Sequence, residues 1–203
     1  MRAETRRALR HGSALVAVVV TVLATLVAGS ATSASAANTW SMVDDMEVHG
    51  SSDPGSRFSF ESSNGYSLGR FRDDAPTPTL PIKAHSGTHF ADVGAGYGTD
   101  WSSVERLVTI GPVARGFRSS CRFSAWTYSG YEDFNIEVIE PGTYRYLAVA
   151  TVRHATGWQY QKMSTPWFTP DIHTVMLRVS FLGPNLSYSI LSYIDDFELT
   201  CTF

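Results

Sequence analysis

The chain closes on SYIDDFELTCTF, residues 192–203. In an extended strand, alternate side chains face opposite sides of the sheet. One side takes Tyr193, Asp195, Phe197, Leu199, Cys201 and Phe203, and the other takes Ser192, Ile194, Asp196, Glu198, Thr200 and Thr202. The first set is apolar except for Asp195 and the second polar except for Ile194. The stretch therefore predicts a long strand covering one side of a core. It also poses a problem, because Asp195 falls on the apolar side. A carboxylate there must be protonated, paired with a base such as Arg70, Arg72 or Lys83, capped by loop N–H groups, or bound to a cation.

Similar stretches recur along the chain, and none carries the period of a long amphipathic helix. WSMVDDMEV (40–48), RFSFES (57–62), YSLGRF (66–71), GTHFADVGA (87–95) and WSSVERLVTI (101–110) all read as strands. So do CRFSAWTY (121–128), FNIEVIE (134–140), YRYLAVATVRH (144–154), WQYQKMSTPWFT (158–169) and HTVMLRVSFLG (173–183). Turn chemistry separates them: Asn64-Gly65, the proline-rich DDAPTPTLP, the glycines of GAGYGTD, and Pro141-Gly142. About ten short antiparallel strands joined in this way predict an all-β fold, a two-sheet sandwich of the jelly-roll type.

Residues 1–36 have a different character. A basic start (MRAETRRALRHGS) leads into the apolar run ALVAVVVTVLATLVAG and then a small-residue tail containing Ala34-Ser35-Ala36. This order is that of a cleaved signal peptide, which leaves residues 37–203 as a single secreted domain with no further membrane segment expected. Without the leader the chain has 12 Lys and Arg against 18 Asp and Glu, a formal net charge of −6. Such a balance, with no basic block, argues against nucleic acid as a partner. Cys121 shares its strand face with Phe117, Phe123 and Ala125, so it points inward, as Cys201 does. In an oxidising compartment the two are expected to form a disulfide.

The order of landmarks resembles the galactose-binding-domain-like jelly rolls, in particular the carbohydrate-binding modules appended to bacterial cellulases and xylanases. The landmarks are an acid-rich first strand ending in Met46-Glu47, SGTHFADV, WSSVERLVTIG, CRFSAWTY, the tryptophan of GWQYQKMSTPWFT, and the closing YIDDFEL. The resemblance implies polysaccharide or oligosaccharide partners. It also implies a structural calcium held by Glu47, Asp195 and a backbone oxygen near Ser86, since calcium takes six to eight oxygen ligands.

Other motifs point to chemistry with less context behind them. Gly65-Tyr66-Ser67-Leu68-Gly69 has the letters of a nucleophile elbow but lacks the strand-turn-helix setting that motif requires. His85 and His89 have a spacing that suits zinc on a helix, yet Ser86-Gly87-Thr88 between them reads as turn and strand. Asp133, Asn135 and Glu137 alternate on one face, which reads as a solvated polar surface. Aromatics in or beside loops, Tyr97, Trp101 and Tyr131 first among them with Tyr144 and Trp167 behind, are the candidates for stacking on sugar rings. Trp126 and Trp158 match core positions of the family.

The function expected is therefore non-catalytic carbohydrate binding by a secreted, monomeric jelly roll, with no catalytic apparatus identified. The alternatives are a small glycan hydrolase or lyase on the same scaffold, and an extracellular protein-interaction domain.

Overall fold

The structure, a computed structural model, describes residues 38–47, 57–62, 69–73, 83–95, 101–111, 119–128, 133–152, 159–182 and 190–203. All of these lie in the unit Ala37–Phe203. The predicted leader, Tyr97, Tyr131, Trp158 and residues 65–68 fall outside the described residues.

The described residues contain eleven strands and no helix: β1 (Thr39–Asp44), β2 (Phe58–Ser62), β3 (Arg70–Asp73), β4 (His89–Ala95), β5 (Trp101–Thr109), β6 (Ser120–Tyr128), β7 (Asp133–Ile139), β8 (Tyr146–Val152), β9 (Gln161–Ser164), β10 (Thr174–Leu182) and β11 (Ile190–Thr202). They form two antiparallel sheets. One runs β3-β4-β11-β6-β9 with β1 also paired to β11, and the other runs β2-β5-β10-β7-β8. Inward residues of both sheets make one core. Phe123, Phe197 and Leu199 come from the first sheet, and Phe134, Ile136, Leu177, Val179 and Phe181 from the second, all essentially buried. Phe197 takes the ring edges of Phe58 and Phe123 at centroid distances of 5.2 and 4.9 Å.

The closing stretch is the central strand of the first sheet. β6 follows one edge of β11 from Tyr193 to Thr202. The opposite edge is divided: β4 pairs with Ile190–Ile194 and β1 with Phe197–Thr202. Where one partner gives way to the other, the ladder with β6 shifts register between Asp195 and Glu198, and Asp196 takes a φ of 49°. This is a β-bulge, and its extra residue inverts the alternation. The faces read from sequence hold for residues 197–203 and reverse before them. Ile194, opposite Ala91 and Thr127, enters the core, while Asp195 lies opposite Trp126 on the outer face. Asp195 is nonetheless fully buried.

Cys121 and Cys201 stand directly opposite each other on β6 and β11 and are joined by a disulfide, with Cα atoms 4.0 Å apart. Both are completely buried, so the bond fixes the register of the two middle strands from within the core.

Candidate functional site

Two places on the outer faces hold chemistry that the core does not require. The first surrounds Asp195. Residues 84–88 cross the gap that β1 and β4 leave along β11, and acids from both sides hold this segment. Asp195 Oδ2 accepts N–H bonds from His85 (2.8 Å) and Ser86 (3.1 Å), and its Oδ1 accepts one from Asp196 (2.8 Å). Asp196 Oδ2 lies 2.6 Å from His85 Nδ1, and Asp196 Oδ1 accepts the Ser86 hydroxyl at 2.5 Å. From the end of β1, Glu47 Oε1 accepts the N–H groups of Thr88 (2.6 Å) and His89 (2.7 Å). The His85 ring stacks on Trp126 at 3.7 Å and 16°. Trp126 is thus an outer-face platform rather than a core residue. The backbone of Gly87 has φ 59°, and a Cβ there would meet Glu47 Oε1 at 2.2 Å, so the turn requires glycine.

This arrangement does not fit the calcium expected at Glu47, Ser86 and Asp195. Both oxygens of Asp195 already receive amide donors, and the Ser86 contacts to this acid pair are donor contacts, its N–H to Asp195 and its hydroxyl to Asp196. Among the described residues, no group of three or more His, Cys, Asp or Glu side chains could hold a metal. The His85 and His89 rings use their Nδ1 atoms on different carboxylates, Asp196 and Glu47. Loop N–H caps, one of the alternatives open at the sequence level, account for the buried acid. The charge is still strained: burial first, and the adjacent Asp196 second, push Asp195 up to about 7. At Glu47 burial also works against ionisation, but the bonds from Thr88 and His89 outweigh it and hold the group at about 2.

The second place is a cavity of about 560 Å³ on the outer face of the β2-β5-β10-β7-β8 sheet. Strand register builds it row by row. Glu105, Arg178 and Glu137 stand opposite one another across β5, β10 and β7, and Ser103, Ser180 and Asn135 form the next row. Glu61 continues the second row onto β2. Thr151 on β8 donates its hydroxyl to Asn135 Oδ1 at 2.8 Å. Of the alternating Asp133, Asn135 and Glu137, read from sequence as a solvated face, Asn135 and Glu137 in fact form part of a sheltered floor: Glu137 is 2% exposed.

Arg178 organises that floor. Its Nε donates to Glu137 Oε2, Nη1 lies 3.5 Å from Glu105 Oε1, and Nη2 donates to the Tyr146 hydroxyl at 3.2 Å. Its Cζ lies 6.0 Å from the ring centroids of both Trp101 and Tyr146. The two rings are therefore no more than about 12 Å apart, with the guanidinium between them. Burial opposes the charge on Arg178, but the bonds and fields of Glu137 and Glu105 hold it protonated. Burial raises Glu105, and the field of Arg178 only partly offsets this.

The hairpin between β7 and β8 supplies the last wall. Tyr144 is held at φ 56° in a turn closed by Tyr144 N–H to Glu140 O (3.0 Å) and Glu140 N–H to Arg145 O (2.9 Å). Arg145 braces the turn through Glu140 (2.9 Å) and Asp171 (3.0 Å). A tyrosine in the left-handed region costs about 1–2 kcal/mol, and such strain clusters at functional positions. Tyr144 and Tyr146 are 66% and 55% exposed, so their faces are open to a ligand. Of the candidate aromatics, Trp101 and Tyr144 thus come together here, and Trp167 does not line the cavity. Tyr146 was not anticipated, because it sits inside a strand and nothing in its local sequence marks it as a platform.

No family model and no curated protein matches the chain. Among solved structures, TmCBM61 in complex with β-1,4-galactotriose is similar, with a TM-score of 0.52 at 14% identity over 71% of this chain and 88% of that one. The xylan-binding domain from CBM22 gives a TM-score of 0.49 at 16% identity over 78% and 92%. The K3 adhesin domain of Lys-gingipain from Porphyromonas gingivalis gives 0.48 at 10% identity over 80% and 99%. The first of these likenesses supports the fold, a jelly-roll β-sandwich of the kind found in carbohydrate-binding modules.

Proposed function

We propose that the protein is a secreted, non-catalytic carbohydrate-binding protein whose cleft on the β2-β5-β10-β7-β8 sheet holds a polysaccharide or oligosaccharide chain. The observation that carries this reading is the pair of rings, Trp101 and Tyr146, set on either side of a polar floor. Sugar rings present apolar C–H faces and hydroxyl edges. The faces suit aromatic walls, and the edges suit the carboxylates and amides between them. A cavity of this volume is in the range of small-ligand sites. The similarity to a module solved with galactotriose supports the same reading through the fold. The leader-like residues 1–36 and the disulfide support export.

Hydrolysis is less well served. Glu105 and Glu137 both face the same guanidinium, which occupies the space that an attacking water would need between two carboxyls. A glycan array followed by calorimetry tests the proposal. Trp101→Ala should weaken binding by about 2 kcal/mol, roughly thirtyfold, with the fold intact. Undiminished binding in that variant places the ligand elsewhere, and release of reducing ends from a bound chain would favour the enzyme.

A further inference from the structure

The charged groups of the cleft are unequal in number and in availability. Among the described residues, Glu61, Glu105 and Glu137 line it together with a single cation, Arg178. Arg178 is largely committed within the protein: Glu137, Glu105 and the Tyr146 hydroxyl take three of its five N–H donors, its charge is shared between two carboxylates, and the rings of Trp101 and Tyr146 flank it. It acts as a positioning residue that holds the two walls and the floor together. Glu61 is the exposed member of the acidic set, on the edge strand β2. A ligand therefore meets hydrogen-bond acceptors and aromatic faces. A cleft lined by one sign of charge between low-dielectric walls focuses its field and concentrates counter-charged ligands.

We infer that the cleft selects sugar chains by charge, preferring chains that carry amines, as glucosamine polymers do, over matched uncharged chains, and rejecting chains that carry carboxylates or sulfates. The inference rests on the cleft being the glycan site. An ammonium group places three donors against carboxylates that only accept. A uronate in the same position would face Glu61 and Glu105, and among the described lining residues its one countercharge would be Arg178, already shared between Glu137 and Glu105; like-charge juxtaposition of this kind suppresses wrong partners. The aromatic walls are common to both kinds of neutral and basic chain, so they set whether a sugar binds, and the acids set which one.

The test uses the purified protein and oligosaccharides of equal length: β-1,4-linked glucosamine, β-1,4-linked glucose, which differs only at C2, and galacturonate, with oligolysine as a control. Binding is measured in mildly acidic buffer, so that the amines are protonated, at low and at high salt. The glucosamine chain should bind about five- to tenfold tighter than the glucose chain at low salt, and the ratio should fall towards one near ~1 M salt. Glu61→Gln should reduce the ratio at low salt, and Trp101→Ala should weaken both sugars. The galacturonate chain should not bind. Equal affinity for the glucose and glucosamine chains, or measurable galacturonate binding, overturns charge selection while leaving the glycan site standing. Oligolysine binding as tightly as glucosamine also overturns it, because the cleft would then read charge without sugar. Glucosamine binding that survives Trp101→Ala removes the inference from this cleft. Failure of both the glucose and the glucosamine chains to bind overturns charge selection, and it overturns the glycan site itself when no other sugar on the glycan array binds.

Discussion

The buried acid of the closing strand gives stability an unusual dependence on pH. Asp195 titrates near 7 in the folded protein against about 3.8 when exposed. An acid whose folded value is raised binds its proton more tightly in the native state. Its contribution is therefore full below about pH 4 and is lost as pH rises through about 7. A displacement of about three pH units corresponds to about 4 kcal/mol across that window. Urea unfolding at fixed ionic strength, from about pH 4 to pH 8, should show this fall. Glu105 is raised as well and contributes with the same sign, so the comparison that isolates Asp195 is with Asp195→Asn. The variant should lose most of the slope. It should also be less stable at the acid end, because an amide cannot accept all three N–H bonds that Asp195 receives. Glu47, held at about 2, acts in the opposite sense, and its contribution disappears only as pH falls towards 2, below the measured range. Wild-type stability that is flat or rises between pH 4 and 7, or a slope that persists in Asp195→Asn, would refute the reasoning.

The remaining predictions are of the same kind. Repeating the pH series in millimolar calcium tests the ion expected from the resemblance: with loop amides on both Asp195 oxygens the curve should not move, whereas a bound ion would keep the carboxylate charged and flatten it. Replacing Cys121 and Cys201 together by alanine opens a link across 80 residues, worth about 4.5 kcal/mol in the chain-entropy model, and should lower the melting temperature by about 9–18 °C; an unchanged melting point would refute the constraint. Gly87→Ala should destabilise by about 1–3 kcal/mol in urea unfolding, since it forces a left-handed alanine against Glu47. Tyr144→Gly relieves about 1 kcal/mol of backbone strain and loses a similar amount to the freer unfolded chain, so calorimetry should show little change in melting temperature while glycan affinity drops.

How far the fold could be read in advance depended on whether the signal was local. The strands, the Pro141-Gly142 turn and the inward phase of Cys121 and Cys201 were legible because alternation and turn chemistry act over a few residues. The same alternation failed at Asp195, since one bulge residue inverts every face before it. The clue was the Asp195-Asp196 pair itself: aspartate is among the residues that tolerate the left-handed region, and two of them inside a strand suit a bulge better than a ladder. The cleft was only half visible. Trp101 and Tyr144 could be named from their loop settings, but the floor depends on pairings over long separations, such as Arg178 with Glu137 across 41 residues and with Glu105 across 73. Those contacts follow from sheet order, which no local pattern carries.

Both sheets place polar and aromatic side chains on their outer faces, and the periodicity that does so is the same for each. What separates them is cover. On the β3-β4-β11-β6-β9 face, residues 84–88 lie across β11, stack His85 on Trp126 and occupy the acids with backbone N–H groups. There Asp195, Asp196 and Glu47 are satisfied from within, and their chemistry serves to fasten the first and last strands to the loop. On the β2-β5-β10-β7-β8 face, the floor acids share one guanidinium, Glu61 stays exposed, and two tyrosines stand open at the rim. The covered face contributes stability and the open face leaves polar and aromatic groups exposed, which is why the proposed glycan site is assigned to the second sheet although the first holds the greater density of buried acid.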